Sequence, residues 1–198
     1  YILGISAFYH DSAAALIKDG KIIAAAQEER FSRTKHDRRF PISAINFCLE
    51  KGNIQQNDLN AIVYYDNTSI TFERILWSFL KTVPYSEESW LKVMPSWVKY
   101  KLFLPQLIRK KLKYNGQIFH DLHHRSHAAA AFYPSPFKKA AILTIDGVGE
   151  WATASIALGE ENKITMLKEM HFPNSLGLLY SAFTQFIGFK VNSGEYKM

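Results

Sequence analysis

The sequence predicts an α/β protein built on a mixed β-sheet with flanking helices. Two stretches, one near each end of the 198 residues, read as β-meanders. Between and after them, apolar residues recur at helical spacing, so strands alternate with helices as in parallel crossovers. Hydrophobic residues make up 47% of the chain, enough for one sizeable core or two small ones.

The first meander is "YILGISAF" followed by "SAAALIKDGKIIAAAQ". Its apolar runs place strands near 1–7, 12–18 and 21–27, and Asp19-Gly20 is a strong hairpin signal between the last two. "EERFSRTKHDRRFP" is polar and charged, and Pro41 then introduces "ISAINFCLEKG". Apolar positions 42, 45, 47 and 49 suit a helix there, stopped by Gly52. "LNAIVYYD" reads as a buried strand. Residues 71–113 are helical in pattern but broken by Pro84, Pro95 and Pro105. "GQIFH" is a short strand, and "HHRSHAAAAFY" a helix ended by Pro134 and Pro136. "KAAILTIDG", "WATASIALG" and "NKITMLKEMHF" form the second meander, and "SLGLLYSAFTQFIGF" closes as an amphipathic helix.

One cysteine, Cys48, excludes an internal disulfide framework, and a reducing cytoplasm is the expected setting. No apolar run approaches the roughly 20 residues of a spanning helix, so no membrane partner is expected. The formal charge of +6 is local. From Ser89 to Phe119 there is no acidic residue, while Lys92, Lys99, Lys101, Arg109, Lys110, Lys111 and Lys113 add seven positive charges. Trp90, Trp97, Tyr100, Phe103 and Tyr114 interleave with them, as on some nucleic-acid or membrane-surface segments. A solvated helical insertion with a lid or packing role is the plainer expectation, and no nucleic-acid partner is expected.

"HDLHHRSHAAAAF" puts four of the seven histidines into eight positions, 120–127. On a helix His123 and His127 stand one turn apart and project from one face, able to converge on a single ion. Two neutral imidazoles with an oxygen ligand suit zinc or ferrous iron. The alternative is a pair of surface histidines on an alanine-rich helix. "TIDGVGE" delivers Asp146 from a strand end into Gly147-Val148-Gly149, a place for a metal-binding carboxylate with glycines that admit an anion. A simple hairpin turn fits the same residues, and neither the dinucleotide fingerprint nor a Walker loop is present. "FYHDSAAAL" sets His10 and Asp11 at a turn between strands, where His10 is a candidate general base. "RFSRTKHDRRF" adds Arg30, Arg33, Lys35, His36, Arg38 and Arg39, a cationic loop able to receive phosphate or carbamoyl oxygens.

Taken together, "ILGISAFYHDSAAALIKDGKIIAAAQEERFSRTKHDRRFP", "HHRSHAAAAF", "TIDGVGEWATA" and "NSGEYKM" resemble the NodU/CmcH-type carbamoyltransferases in order and spacing. The resemblance covers nearly all of the chain, with no diagnostic motif in 71–113. It implies the actin-like ATPase (ribonuclease H-like) fold, in the version shared with the tRNA threonylcarbamoyladenosine enzymes, and only the first half of a two-lobed domain. It also implies ATP with Mg and carbamoyl phosphate as substrates. A YrdC-like domain makes carbamoyl adenylate from them, and this kind of domain passes the carbamoyl group to a hydroxyl of a sugar, antibiotic or nodulation-factor-like acceptor. By this likeness His123 and His127 are ligands of Fe(II), or of Zn or Mn, and Asp146 lies beside the metal and phosphate. His10 draws the proton from the acceptor, and Lys35 holds the carbamoyl oxygen. Asp11, Gly147, Gly149, Glu195 and Lys197 fall on the nucleotide-binding side.

A further aspartate ligand, the second lobe and the YrdC-like domain have no position in these residues, so a fragment inactive by itself is expected. Half of a two-lobed fold exposes an apolar seam through which it can dimerise. Acceptor contacts in such enzymes come from variable loops, and 71–113 is the candidate for them. Two other readings stay open: threonylcarbamoyl transfer to tRNA, and a non-catalytic nucleotide-binding or interaction module.

Overall fold

A computed structural model describes the backbone of residues 1–198 and all side chains but those of Ser96 and Lys99, so Lys99 of the basic segment lies outside the described side chains. The chain divides into two compact units, Tyr1–Asp121 and Leu122–Met198.

In the first unit, β1 (Ile2–Ser6), β2 (Ala13–Lys18) and β3 (Lys21–Gln27) form the expected antiparallel meander. Asp19 and Gly20 take φ of 49° and 79°. Two consecutive positive φ values are what a type I′ turn requires, which is why the dipeptide signalled the hairpin. A single helical turn, α1 (Glu29–Ser32), follows, and then α2 (Ile42–Gly52). Ala44, Ile45, Cys48 and Leu49 make its buried stripe. Gly52 does not stop this helix. It is the last helical residue, and Asn53 takes the left-handed conformation (φ 50°, ψ 48°), its N–H donating to the carbonyls of Glu50 and Leu49. Asparagine tolerates that conformation, so the cap falls one residue later than the glycine suggested. The glycine is needed for closeness instead: a Cβ there would lie 2.6 Å from Leu16 Cδ2.

β4 (Ala61–Tyr64) and β5 (Gln117–His120) join β1 in parallel, giving the order β3-β2-β1-β4-β5. This mixed sheet, an antiparallel hairpin pair leading into parallel crossovers, is the ribonuclease H-like arrangement, and the α/β class holds. Between β4 and β5 run α3 (Thr68–Thr82), α4 (Glu87–Ser96) and α5 (Leu104–Leu112). Pro84 lies between α3 and α4, as expected of a breaker. Pro95 does not break the chain there but sits inside α4. The turn that follows, Trp97–Lys101, widens to π geometry, with Leu102 N–H donating five residues back to Trp97 O at 3.1 Å. A missing N–H at 95 removes one helical hydrogen bond, and the wider turn re-registers the ladder. Pro105 occupies the first turn of α5, where the missing N–H has no helical partner to lose. Leu104, Ile108 and Leu112 of α5 are buried in one cluster with Leu3, Ile5, Leu16, Ile45 and Ile62. Burying side chains of this size contributes about 1.5–3 kcal/mol each.

The second unit opens with α6 (His123–Phe132). β6 (Lys139–Ile145), β7 (Ala152–Glu160) and β8 (Lys163–His171) follow, and α7 (Leu176–Phe186) is capped by Ser175 Oγ, which accepts from Leu178 N–H at 3.0 Å. The second meander makes its own three-stranded antiparallel sheet, β6-β7-β8, rather than extending the mixed one. His124, Ala128 and Phe132 form the buried stripe of α6. Ala128 and Phe132 pack with Ile142 of β6 and Ala157 of β7. Among the described residues no helix is long and apolar enough to cross a membrane.

Candidate metal centre

The local sequence sets how α6 begins. Its N-cap is Leu122, whose side chain accepts no hydrogen bond, so the free N–H groups of the first turn need another acceptor. Glu150 supplies it from the β6–β7 connection: its buried carboxylate accepts His123 N–H at 3.0 and 3.1 Å. Gly149 beside it leaves room for the helix, since a Cβ there would lie 3.1 Å from both Cβ and Cδ2 of His123.

Asp146 is held from all sides. Its N–H donates to Thr153 O at 2.9 Å, and Ser175 Oγ donates to the carbonyls of Asp146 and Gly147 at 3.2 and 2.7 Å. Gly147 N–H donates to Asp146 Oδ1 at 2.6 Å, which leaves Oδ2 to face the helix. Gly149 N–H donates to Ala152 O at 2.8 Å. With both N–H groups engaged, what Gly147 and Gly149 contribute here is the turn and the space for α6.

His123 and His127 share one face of α6, as their spacing predicted. His123 Nε2 lies 2.6 Å from Asp146 Oδ2, His127 Nε2 lies 3.6 Å from the same oxygen, and the two Nε2 atoms are 3.1 Å apart. The rings meet nearly at right angles, 88°, with centroids 4.6 Å apart. The hydrogen bond from His123, with the His127 imidazole 3.6 Å away on the same side, holds the Asp146 carboxyl well below the usual carboxylate range. It is therefore an acceptor, and so is an imidazole nitrogen without its proton. One N–H on His123 faces both the carboxylate and the neighbouring ring, and a single proton cannot bridge three such atoms well. A cation can. Donors about 2.0–2.1 Å from a common zinc or iron sit roughly 3 to 3.5 Å from one another; the 3.1 and 3.6 Å separations are near that range, and the 2.6 Å one, a hydrogen-bond distance, is shorter. The donor set, two imidazoles and one carboxylate, suits Fe(II), Zn or Mn. His124 points into the core instead, with Nδ1 3.1 Å from Ser155 Oγ and 2.9 Å from Thr144 Oγ1. Burial pushes its imidazole below its ordinary value, so it is a neutral packing residue.

In the first unit Asp11 bridges two rings. Its Oδ2 lies 2.9 Å from His10 Nδ1 and its Oδ1 2.9 Å from His36 Nδ1, while His36 N–H donates to Glu29 Oε2 at 3.0 Å. Partial burial opposes ionisation of Asp11, but the hydrogen bonds from His36 and His10 outweigh it and lower its carboxyl. An ionised carboxylate only accepts, so Nδ1 of each ring carries a proton toward Asp11. Asp11, Glu29 and His36 also offer three donor atoms within 4.8 Å of one another. Lys35 is exposed, with no partner among the described residues. Near the end of the chain, Glu195 accepts N–H groups of Asn192 and Gly194 at 2.5 and 3.1 Å, and Lys197 Nζ lies 5.7 and 5.6 Å from the ring centroids of Phe189 and Tyr196.

Sequence reasoning missed Glu150 and the part His36 plays. The signal for Glu150 was present: a helix starting at His123 without Ser, Thr, Asp or Asn at its cap needs an acceptor from elsewhere. For His36 no signal existed, because its bond to Asp11 spans 25 residues.

A mixed-sheet α/β frame, with an HxxxH helix set against a strand-end aspartate, defines an α/β protein with a candidate metal centre. Comparison with known proteins supplies the family. The model of the carbamoyltransferase N-terminus matches residues 1–198, and the chain belongs to that family. The uncharacterized protein sll1178 of Synechocystis is 52% identical over 206 residues, covering 100% of this chain and 34% of the relative. The nodulation protein NolNO of Sinorhizobium fredii is 34% identical over 197 residues, covering 96% of this chain and 27% of its own. The chain thus spans about a third or less of the length of these curated relatives. Among solved structures, YeaZ from Pseudomonas aeruginosa aligns with a TM-score of 0.42 and 10% identity, over 87% of this chain and 67% of its own.

Proposed function

We propose that this chain is the N-terminal part of an ATP- and metal-dependent enzyme that transfers a carbamoyl group from carbamoyl phosphate, by way of carbamoyl adenylate, to a hydroxyl of a small acceptor. The observation that carries the reading is the convergence of His123, His127 and Asp146 in a member of the carbamoyltransferase family.

His123, His127 and Asp146 would hold the ion, which when bound supplies positive charge beside the phosphate of the adenylate. The remaining chemistry is assigned to side chains of the first unit and to Lys197 and Glu195 at the nucleotide. The acceptor hydroxyl oxygen attacks the carbamoyl carbon, and its proton passes to Nε2 of His10. The bond from that carbon to the adenylate phosphate oxygen breaks, and AMP leaves with the electron pair. Asp11 holds Nδ1 of His10, fixing the tautomer that leaves Nε2 basic. The Lys35 ammonium stabilises the charge that builds on the carbamoyl oxygen. ATP with Mg is the proposed nucleotide, and Asp11, Gly147 and Gly149 are assigned to it by the family resemblance alone.

The test is product formation by the full-length enzyme. His10→Asn should abolish carbamoyl transfer and spare adenylate formation. Transfer retained in that variant contradicts the assignment of the base.

A further inference from the structure

A cleft of about 880 Å³ opens within the first unit, between the loop before α2 and the helical segment 97–111. Arg38, Arg39, Lys101 and Lys111 line it, with Phe8 and Tyr100 stacked at 5.4 Å and 10°. Its acidic groups are spent. Glu28, also on its wall, accepts the N–H groups of Ser43 and Ala44 at 3.2 and 2.9 Å and so caps α2. Asp37 neutralises Arg39 through a paired contact, Nε to Oδ1 at 3.0 Å and a terminal nitrogen to Oδ2 at 2.6 Å.

Three cations, Arg38, Lys101 and Lys111, remain without a carboxylate salt bridge among the described residues. Lys111 lies over Phe40, its Nζ 5.6 Å from the ring centroid. Lys101 Nζ lies 4.7 Å from the Trp97 centroid and 5.8 Å from that of Tyr9. Arg38 is exposed, with no side-chain partner among the described residues. Burial, with a smaller push from Arg74, holds the Lys101 ammonium below its ordinary value against the opposing field of Asp66. An anion in the cleft would relieve that cost. The cleft also neighbours the proposed base: the Tyr9 ring that faces Lys101 has its centroid 4.5 Å from that of His10.

We infer that this cleft binds an acidic group, a phosphate, sulfate or carboxylate, carried by the hydroxylated acceptor, with Arg38 and Lys101 as its charge partners and the Phe8–Tyr100 pair as a wall for the carbon skeleton. The inference rests on the carbamoyl-transfer reading for the word acceptor. It gives segment 97–111, which carries no family motif, a specificity role.

The test titrates the 198-residue chain with glucose 6-phosphate at low salt, following the Trp97 indole N–H by NMR, with glucose as the neutral control. Saturable shifts with glucose 6-phosphate and none with glucose are expected. Lys101→Met and Arg38→Gln should each weaken binding about tenfold, a change of about 1.4 kcal/mol, with Fe(II) affinity unchanged. Arg38 is exposed, so its variant keeps the fold even if Lys101→Met does not. Unchanged affinity in Arg38→Gln, or equal response to glucose, overturns the inference. Saturating ATP separates the two sources of phosphate: unchanged affinity supports an acceptor site, and displacement shows a nucleotide site and overturns it. His127→Ala should bind glucose 6-phosphate as before. A chain that binds the sugar phosphate but no metal defeats the proposed function while leaving the anion site standing.

Discussion

In residues 1–121 the five-stranded sheet closes over a cluster that draws Leu3, Leu16, Ile45, Ile62, Leu104 and Ile108 from five elements, whereas residues 122–198 bury only a small group around Phe132 and Ile142. On the three-stranded sheet Leu143 and Leu167 remain 65% and 57% exposed. The candidate metal donors sit on the thinly filled unit. Their geometry is held by polar means instead: the Glu150 cap, the Gly149 approach, the Ser175 bonds under Asp146 and the Thr144–Ser155–His124 network. A first unit stabilised by packing and a second held by polar contacts should respond to different perturbations. A cation at His123, His127 and Asp146 would act as part of the second unit's core.

Core truncation is the largest expected effect. Ile45→Ala, at a fully buried position, should cost about 2–5 kcal/mol in denaturant titration, while Leu167→Ala stays within about 0.5 kcal/mol. Comparable losses would erase the contrast. Next, Fe(II) or Zn at about 100 times its dissociation constant should add about 2.7 kcal/mol to the second unit. Hydrogen exchange should then slow in 122–198 and not in 1–121, and His127→Ala, with one donor fewer, should weaken the effect.

Glu150→Gln is expected to cost about 1 kcal/mol through loss of the charged cap, and to weaken metal binding by misplacing His123. Unchanged metal affinity would show that the cap is structural only. The last effect is a pH dependence at Asp37 of the first unit. The Arg39 guanidinium holds the buried Asp37 carboxyl below its ordinary value. Its folded pKa is thus lower than its unfolded one, so the stabilisation is complete above the ordinary carboxylate range and is lost as pH falls below about 4. Circular dichroism along an acid titration should show that loss in the parent and a flatter profile in Asp37→Asn.

Local features were legible and long-range ones were not. The Asp19-Gly20 hairpin, the strands flanking it and the His123–His127 face follow from conformational preference and periodicity within a few residues, and the structure has them. Helix α2 was legible but its end was not, because Asn53 takes the left-handed position while Gly52 stays helical close to Leu16. Proline at 95 looked like a break, yet a π turn absorbed it. That the second meander forms a sheet of its own depends on pairing choices no local pattern encodes. The same holds for the site: the sequence named His123, His127 and Asp146, but the placement of Glu150 at the start of α6 and of His36 on Asp11 arises only when distant segments meet.

X-ray absorption on the chain loaded anaerobically with one equivalent of Fe(II), and in parallel with Zn(II), tests the metal assignment most directly. Two imidazoles and a carboxylate oxygen in the first coordination sphere, with the imidazole signal reduced by half in His127→Ala, are the predicted result. A sphere of water and carboxylate oxygens alone, or no ion retained, would contradict it.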